Sequence, residues 1–248
     1  MSAIYVLWLR QLKRYWRSPM RIIGSLGQPV LLLVALGFGL GPVFEKAGTS
    51  NYLQMLAPGV IAGGILFTAV FSGVELIMDR QFGFLKETLV APVSRFNIMF
   101  GRTLGGATVA VFQGIAVFIL ALLIGFRPTS VWEIFPALLV MMLIAIFFAA
   151  FGTALASKMR DMQAFPLIMN FLIMPCLFLS GAFFPIDGLP AAMKIVVKFN
   201  PLAYGVDGLR AFFTGQSYFG LGHDIIVLVV LGAIFLTIGA VLFEKIEA

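Results

Sequence analysis

Six apolar runs of about twenty residues each, the length of helix that crosses a hydrocarbon core, take up most of this 248-residue chain. They cover 22–41, 57–78, 103–126, 134–156, 164–184 and 225–243. A bilayer offers no water to satisfy backbone N–H and C=O groups, so a spanning segment is either a helix or a strand of a closed barrel. Barrel strands alternate apolar and polar residues over about ten positions, whereas these runs are continuous. The expected fold is all-α: an integral membrane protein of six transmembrane helices in a single domain, 1–248. An amphipathic interfacial helix precedes the first span and short extracytoplasmic helices precede the last. The connectors leave no room for a soluble catalytic or nucleotide-binding domain.

The formal charge of +6 could suggest a nucleic-acid partner, but the cations flank membrane spans and do not line a soluble face. They follow the positive-inside rule. Arg10, Lys13, Arg14, Arg17 and Arg21 precede the first span, Arg80, Lys86, Arg95 and Arg102 lie between the second and third, and Lys158 and Arg160 between the fourth and fifth. With Lys245 they fall on one side, which is expected to be cytoplasmic together with both termini. Lys46, Arg127, Lys194, Lys198 and Arg210 are the minority on the other. Cys176 is the only cysteine and His223 the only histidine, which excludes an internal disulfide and leaves no cysteine or histidine cluster for a metal. The first apolar run reads as an uncleaved span.

Over 4–21, Tyr5, Trp8, Leu9, Leu12 and Trp16 recur at helical spacing, and Arg10, Lys13, Arg14, Arg17 and Arg21 recur on another face. The pattern predicts a helix in the membrane interface, with Trp8 and Trp16 in the headgroups and Arg14 and Arg17 toward phosphate. Between the second and third spans, residues 80–100 form a charged cytoplasmic loop. Residues 83–90 suit about two helical turns, with Phe84, Leu85 and Leu89 able to leave water and Lys86 and Glu87 facing out. Pro92 then interrupts, and Ser94 is placed to cap the next helix. Docking a partner and merely connecting two spans are equally open readings of this loop. Glu75 is the one acid that could sit within a span; pairing near the interface is favoured over a proton relay. Gln113 and Asn170 suit interhelical hydrogen bonds.

Pro166 and Pro175 predict a kinked or broken fifth span, ending in Leu179-Ser-Gly-Ala-Phe-Phe-Pro185. The segment 185–222 reads as two short extracytoplasmic helices, too short to cross and too apolar for free solvent, which form a re-entrant hairpin or a cap at the outer leaflet; a plain surface loop is the bland alternative. Asn200 as N-cap and Pro201 at N1 start the second helix. Tyr204, Asp207 and Arg210 lie a turn apart on it, with Asp207 and Arg210 spaced to pair.

No phosphate-cradling loop, zinc-protease helix or nucleophile elbow occurs, and the deep spans lack the carboxylates of an ion-coupled carrier. A pathway worked by an external engine fits best. The segment Arg80-Gln-Phe-Gly-Phe-Leu-Lys-Glu-Thr-Leu-Val-Ala-Pro92 and the run Asn200-Pro-Leu-Ala-Tyr-Gly-Val-Asp-Gly-Leu-Arg210, in the context of six spans and a basic amphipathic helix, resemble the membrane subunit of ABC-2 type exporters. The match lies most specifically in Pro201-Leu202, Tyr204 and Arg210, after Leu179-Ser-Gly181 and Pro185. The resemblance implies two copies of the chain, two cytoplasmic ABC ATPase subunits, membrane lipid as surroundings, and a prokaryotic plasma membrane. ATP and Mg would be bound by the ATPase, with no cofactor, catalytic residue or metal on this chain. Arg80, Gly83, Phe84, Lys86, Glu87 and Pro92 would form the ATPase-coupling elbow, and Pro185, Pro201, Tyr204, Asp207 and Arg210 the outer cap. Such exporters move drugs, lipids or glycolipids, or lipid-linked polysaccharides. The apolar, phenylalanine-rich spans favour a lipophilic or amphiphilic cargo; a polysaccharide and an ion-coupled secondary carrier stay open.

Overall fold

The computed structural model describes residues 3–46, 52–90, 92–159 and 161–244. Among them the regular structure is helical, with no strand. In chain order the α helices are α1 (Ala3–Trp16), α2 (Pro19–Lys46), α3 (Tyr52–Phe71), α4 (Val74–Gln81), α5 (Phe84–Val90), α6 (Arg95–Ile124), α7 (Ile134–Lys158), α8 (Ala164–Phe178), α9 (Ala191–Lys198), α10 (Pro201–Thr214) and α11 (Leu221–Glu244).

Five spans are long and apolar enough to cross a bilayer: α2, α3 with α4, α6, α7 and α11. The expected sixth, 164–184, is shorter as a helix. α8 has 15 residues and reaches about 22 Å at 1.5 Å per residue, less than a hydrocarbon core of about 30 Å. The chain leaves the helix at Leu179 and turns at Gly181, whose φ of 76° suits a residue without Cβ. This irregular backbone is satisfied from within the protein, as membrane depth demands: Tyr52 Oη donates to the Phe183 carbonyl (3.2 Å) and Arg210 Nη2 to that of Gly181 (2.9 Å).

Burial ranks the spans. In the most apolar stretch of each span, 72% of residues are buried within Tyr52–Gln81, against 11% within Pro19–Phe44 and 17% within Leu221–Phe243, so α3 with α4 is the axis and α2 and α11 show most of their surface outward. α3 packs on α2, α6, α7 and α10; α7 packs on α11. The second span is not straight. At Phe71–Val74 the hydrogen bonds tighten to an i→i−3 pattern (Gly73 N to Val70 O, 3.0 Å; Glu75 N to Ser72 O, 3.3 Å), and Ser72-Gly73 is the kind of pair at which helices kink.

α1 is not a free interfacial helix. It packs along α6, burying Leu7 and Tyr15, and Trp8 Nε1 donates to Thr108 Oγ1 at 3.0 Å. Of the stripe's aromatics, Trp16 and Tyr5, 62% and 46% exposed, keep the outward position expected in the headgroups. The reason α1 packs here is a notch of small residues on α6. A methyl on Gly105 would stand 2.6 Å from Gln11 Cβ, and one on Gly101 3.0 Å from the Ile4 carbonyl. Such spacing permits close helix approach. Gly105→Leu is therefore expected to lift α1, at a cost of about 1–3 kcal/mol. A red shift of tryptophan emission, as Trp8 leaves Thr108, would report it.

α10 is inserted into the bundle: Leu202 through Arg210 are all buried against α3, α7 and α11. Asn200 caps it through Leu202 N (3.0 Å) with Pro201 at N1, and Ser94 caps α6 through Asn97 N (3.2 Å).

Candidate functional site

At the end of the bundle that carries α1, two acids and four arginines from four helices meet. Asp79, on the last turns of α4, is 2% exposed. Its Oδ2 accepts from Arg102 Nη2 at 2.5 Å, and its Oδ1 accepts from Arg10 Nη2 at 2.7 Å and Arg14 Nη2 at 3.4 Å. Glu75, one helical turn earlier, accepts from Arg14 at 3.3 Å and Arg21 at 3.0 Å. The cluster ties α1 and the start of α2 to α4 and α6. Glu75 is thus a paired anchor, buried but charge-compensated. The arginine stripe of α1, expected to face phosphate, spends Arg10 and Arg14 on these carboxylates, and Arg17 remains exposed.

From the sequence, Arg10 and Arg102 count as cations of the inner side, and neither is assigned to Asp79. A signal existed: Asp79 ends one apolar run and Arg102 begins the next, so antiparallel packing brings opposite charges to the same depth. Their pairing still needed the tertiary arrangement. Gln113 fulfils its expected bridging role, accepting from Ser25 Oγ at 2.9 Å and donating to the Ser25 carbonyl at 2.9 Å. Asn170 instead lies exposed on α8.

Beyond Asp79 the chain makes an elbow. Gly83, with φ 79°, reverses the path from α4 into α5, a conformation in which a Cβ is strained. Arg80 reaches the Ser157 carbonyl of α7 at 3.5 Å. On α5, Leu85 turns inward at 2% exposure, but Phe84 does not: it is 50% exposed, beside Phe82 at 65% and Val90 at 86%. The seven-residue helix rests mainly on α4, and Leu85 is the side chain that it turns inward among those described. Pro92 is exposed. The side chains of Lys86, Glu87 and Leu89 lie outside the described residues, as do Arg160 and Lys245.

At the opposite end, Pro185 starts a short 3-10 turn, Ile186–Gly188, and Tyr204 Oη donates to the Lys198 carbonyl at 2.5 Å, closing α9 on α10. The expected Asp207–Arg210 ion pair is absent. Asp207 accepts from Ser217 Oγ (2.9 Å), Tyr218 N (2.8 Å) and Phe219 N (2.8 Å), stapling the loop that follows α10. Arg210 donates to the Met55 and Gly181 carbonyls at 3.3 and 2.9 Å. The loop amides take Asp207 and the Met55 and Gly181 carbonyls take Arg210, in place of an i, i+3 pair. Burial pulls the Arg210 guanidinium below the usual arginine range, opposed by Asp207 and Asp187.

Between the two ends, α2, α3 and α8, with Tyr15 and Phe183, line a half-open cavity of about 220 Å³. Arg21, Ser25, Gln28 and Thr68 give it one polar region; Leu32, Val60, Phe67 and Leu177 line the rest. No group of His, Cys, Asp and Glu among the described residues could hold a metal ion.

The family described as ABC-2 type transporter matches residues 2–214. The transport permease ycf38 of Cyanophora paradoxa is 27% identical, over 99% of this chain and 89% of the relative. Nodulation protein J of Rhizobium leguminosarum bv. viciae is 31% identical, over 79% of this chain and 75% of the relative. The ycf38 permease of Porphyra purpurea is 28% identical, over 88% and 76% respectively.

Proposed function

The chain belongs to the ABC-2 type transporter family, and from that premise we propose that it is the permease subunit of an ATP-driven exporter. Two copies form the path and two separate ABC ATPase subunits supply the work. The observation that carries this reading is the elbow at 80–92. It leaves Phe82, Phe84 and Val90 65%, 50% and 86% exposed among the described residues, and it continues from the charge-locked α4. A short helix with bare apolar side chains suits a groove in a partner, and its rigid joint to α4 makes it a lever. Movement of the seat would pass through Asp79 and Glu75 to α1, α2 and α6 together. This orientation puts the arginine-rich end and both termini in the cytoplasm of a cell membrane, in keeping with the positive-inside rule.

The cavity between α2, α3 and α8 supports a lipophilic or amphiphilic cargo. Its polar side lies at Arg21 and Gln28 and its apolar side at Phe67 and Leu177, which matches a molecule with one wet and one greasy end.

Replacing residues 83–87 with a flexible polar linker is expected to abolish cargo-stimulated ATP hydrolysis by the reconstituted complex while membrane insertion stays intact. Undiminished stimulation would refute the lever. Purification of the chain with an ABC ATPase, with hydrolysis measured against lipids and amphiphiles, tests the cargo class.

A further inference from the structure

Where α10 crosses the first turn of α11, two carboxyl groups meet in a dry place. Asp207 is 1% exposed and Asp224 fully buried. A methyl on Gly208 would stand 3.8 Å from Asp224 Cβ, which measures how closely the helices approach. Asp207 is well provided for as an anion, both oxygens accepting from Tyr218 N and Oδ2 also from Ser217 Oγ and Phe219 N. Asp224 is not. Neither of its oxygens receives a hydrogen bond from any donor among the described residues, although it lies in the first turn of a helix, where N–H groups and the helix dipole usually serve an acid. The polar group within its hydrogen-bond reach is the Asp207 carboxyl itself.

Two acceptors facing each other without water are repulsive unless a proton lies between them. The other groups nearby do not relieve this: Arg127, which lines the cavity that Asp207 borders, donates to the Leu122 and Phe126 carbonyls, and Asp187 there is a further acid. Tyr204 spends its hydroxyl on the Lys198 carbonyl, Arg210 donates to Met55 and Gly181, His223 is exposed and stacks by Tyr204, and α7 presents Val140 at this crossing.

We propose that Asp207 and Asp224 form a buried proton-binding site, an acid–carboxylate pair in which Asp224 carries the proton and donates it to Asp207, and that this one hydrogen bond latches the inserted helix α10 to α11. The latch responds to proton activity. Loss of the proton leaves two adjacent buried charges and drives α10 and the 217–219 loop away from α11.

The test uses the full chain in lipid nanodiscs at pH 7, read by infrared difference spectroscopy. The wild type is expected to show the carbonyl stretch of one protonated carboxylic acid. Asp224→Asn removes that band and keeps the fold, because the amide N–H still donates to Asp207. Asp207→Asn also removes it, because the new amide supplies a donor that lets Asp224 ionise. Raising the pH to 10 should lower the melting temperature of the wild type more than that of Asp224→Asn. A wild-type spectrum at pH 7 with carboxylate bands alone overturns the proposal, and so does a protonated band that survives Asp224→Asn. Should either variant fail to fold, the wild-type spectrum decides by itself, since the other buried acids, Glu75 and Asp79, are paired with arginines.

Discussion

Asp79→Ala is expected to destabilise the folded chain by about 3–5 kcal/mol, the cost of stranding a buried charge. Asp79 receives three arginines, and what matters is which of them can turn to water when it goes. Arg10 and Arg14 have side chains 36% exposed and can reorient, whereas that of Arg102 is 4% exposed and already has an unpartnered Nε. The penalty therefore resides in Arg102. Two comparisons follow. Glu75→Gln removes pairs whose arginines are 36% and 43% exposed and should cost about 1 kcal/mol or less. Adding Arg102→Leu to Asp79→Ala should recover most of the loss, since no buried charge remains. Unfolding in mixed micelles of the two single variants and the double variant measures the cycle. A double variant no more stable than Asp79→Ala alone would show that the carboxylate serves the α1 arginines and not Arg102.

The same residues show what a reader of the chain alone could and could not see. Apolar run length gave the helices, and local chemistry gave their starts at Ser94 and Asn200, because a cap is decided by residues within one turn. Run length began the third span at 103, immediately after Arg102, inside the helix that Ser94 starts, and so left that arginine outside the packed span although α6 buries it. A hydropathy window treats a charge as an end; only a partner on a neighbouring helix makes it an interior residue. The aromatic stripe of α1 shows the same limit: Trp8 meets Thr108 of α6, while Tyr5 and Trp16 stay exposed. An interface of headgroups and a notch of glycines select the same amphipathic pattern, and the sequence of α1 does not say which it meets. At the cap, the Asp207–Arg210 spacing was real but lost to loop amides and carbonyls that become neighbours only when α10 is inserted.

Gly152→Ala should be the other severe change, about 3 kcal/mol or more, although it adds a single methyl group. At Gly152 the new Cβ would run into the Val70 backbone, its carbonyl oxygen and its Cα, the latter at 2.8 Å; from the other side, a Cβ on Gly73 would meet the Gly152 carbonyl oxygen at 2.5 Å. Both obstacles are main chain of long packed helices, so no rotamer change relieves them and α7 must part from α3. Gly63→Ala is the control. Its Cβ would also come close, 2.8 Å from Leu177 Cδ1, but a leucine methyl can swing aside, and the cost should stay near 1 kcal/mol. The two glycines look alike as small residues in apolar helices and differ only in what faces them. Because the Gly152 contact sits at the Phe71–Val74 joint that aims α4 and the elbow, Gly152→Ala should also depress ATPase coupling in the reconstituted complex, and Gly63→Ala much less so. Equal losses of stability in the two variants would mean that the α3–α7 crossing yields as readily as a side chain, and the direction of the elbow would then have to be set by the Asp79 cluster alone.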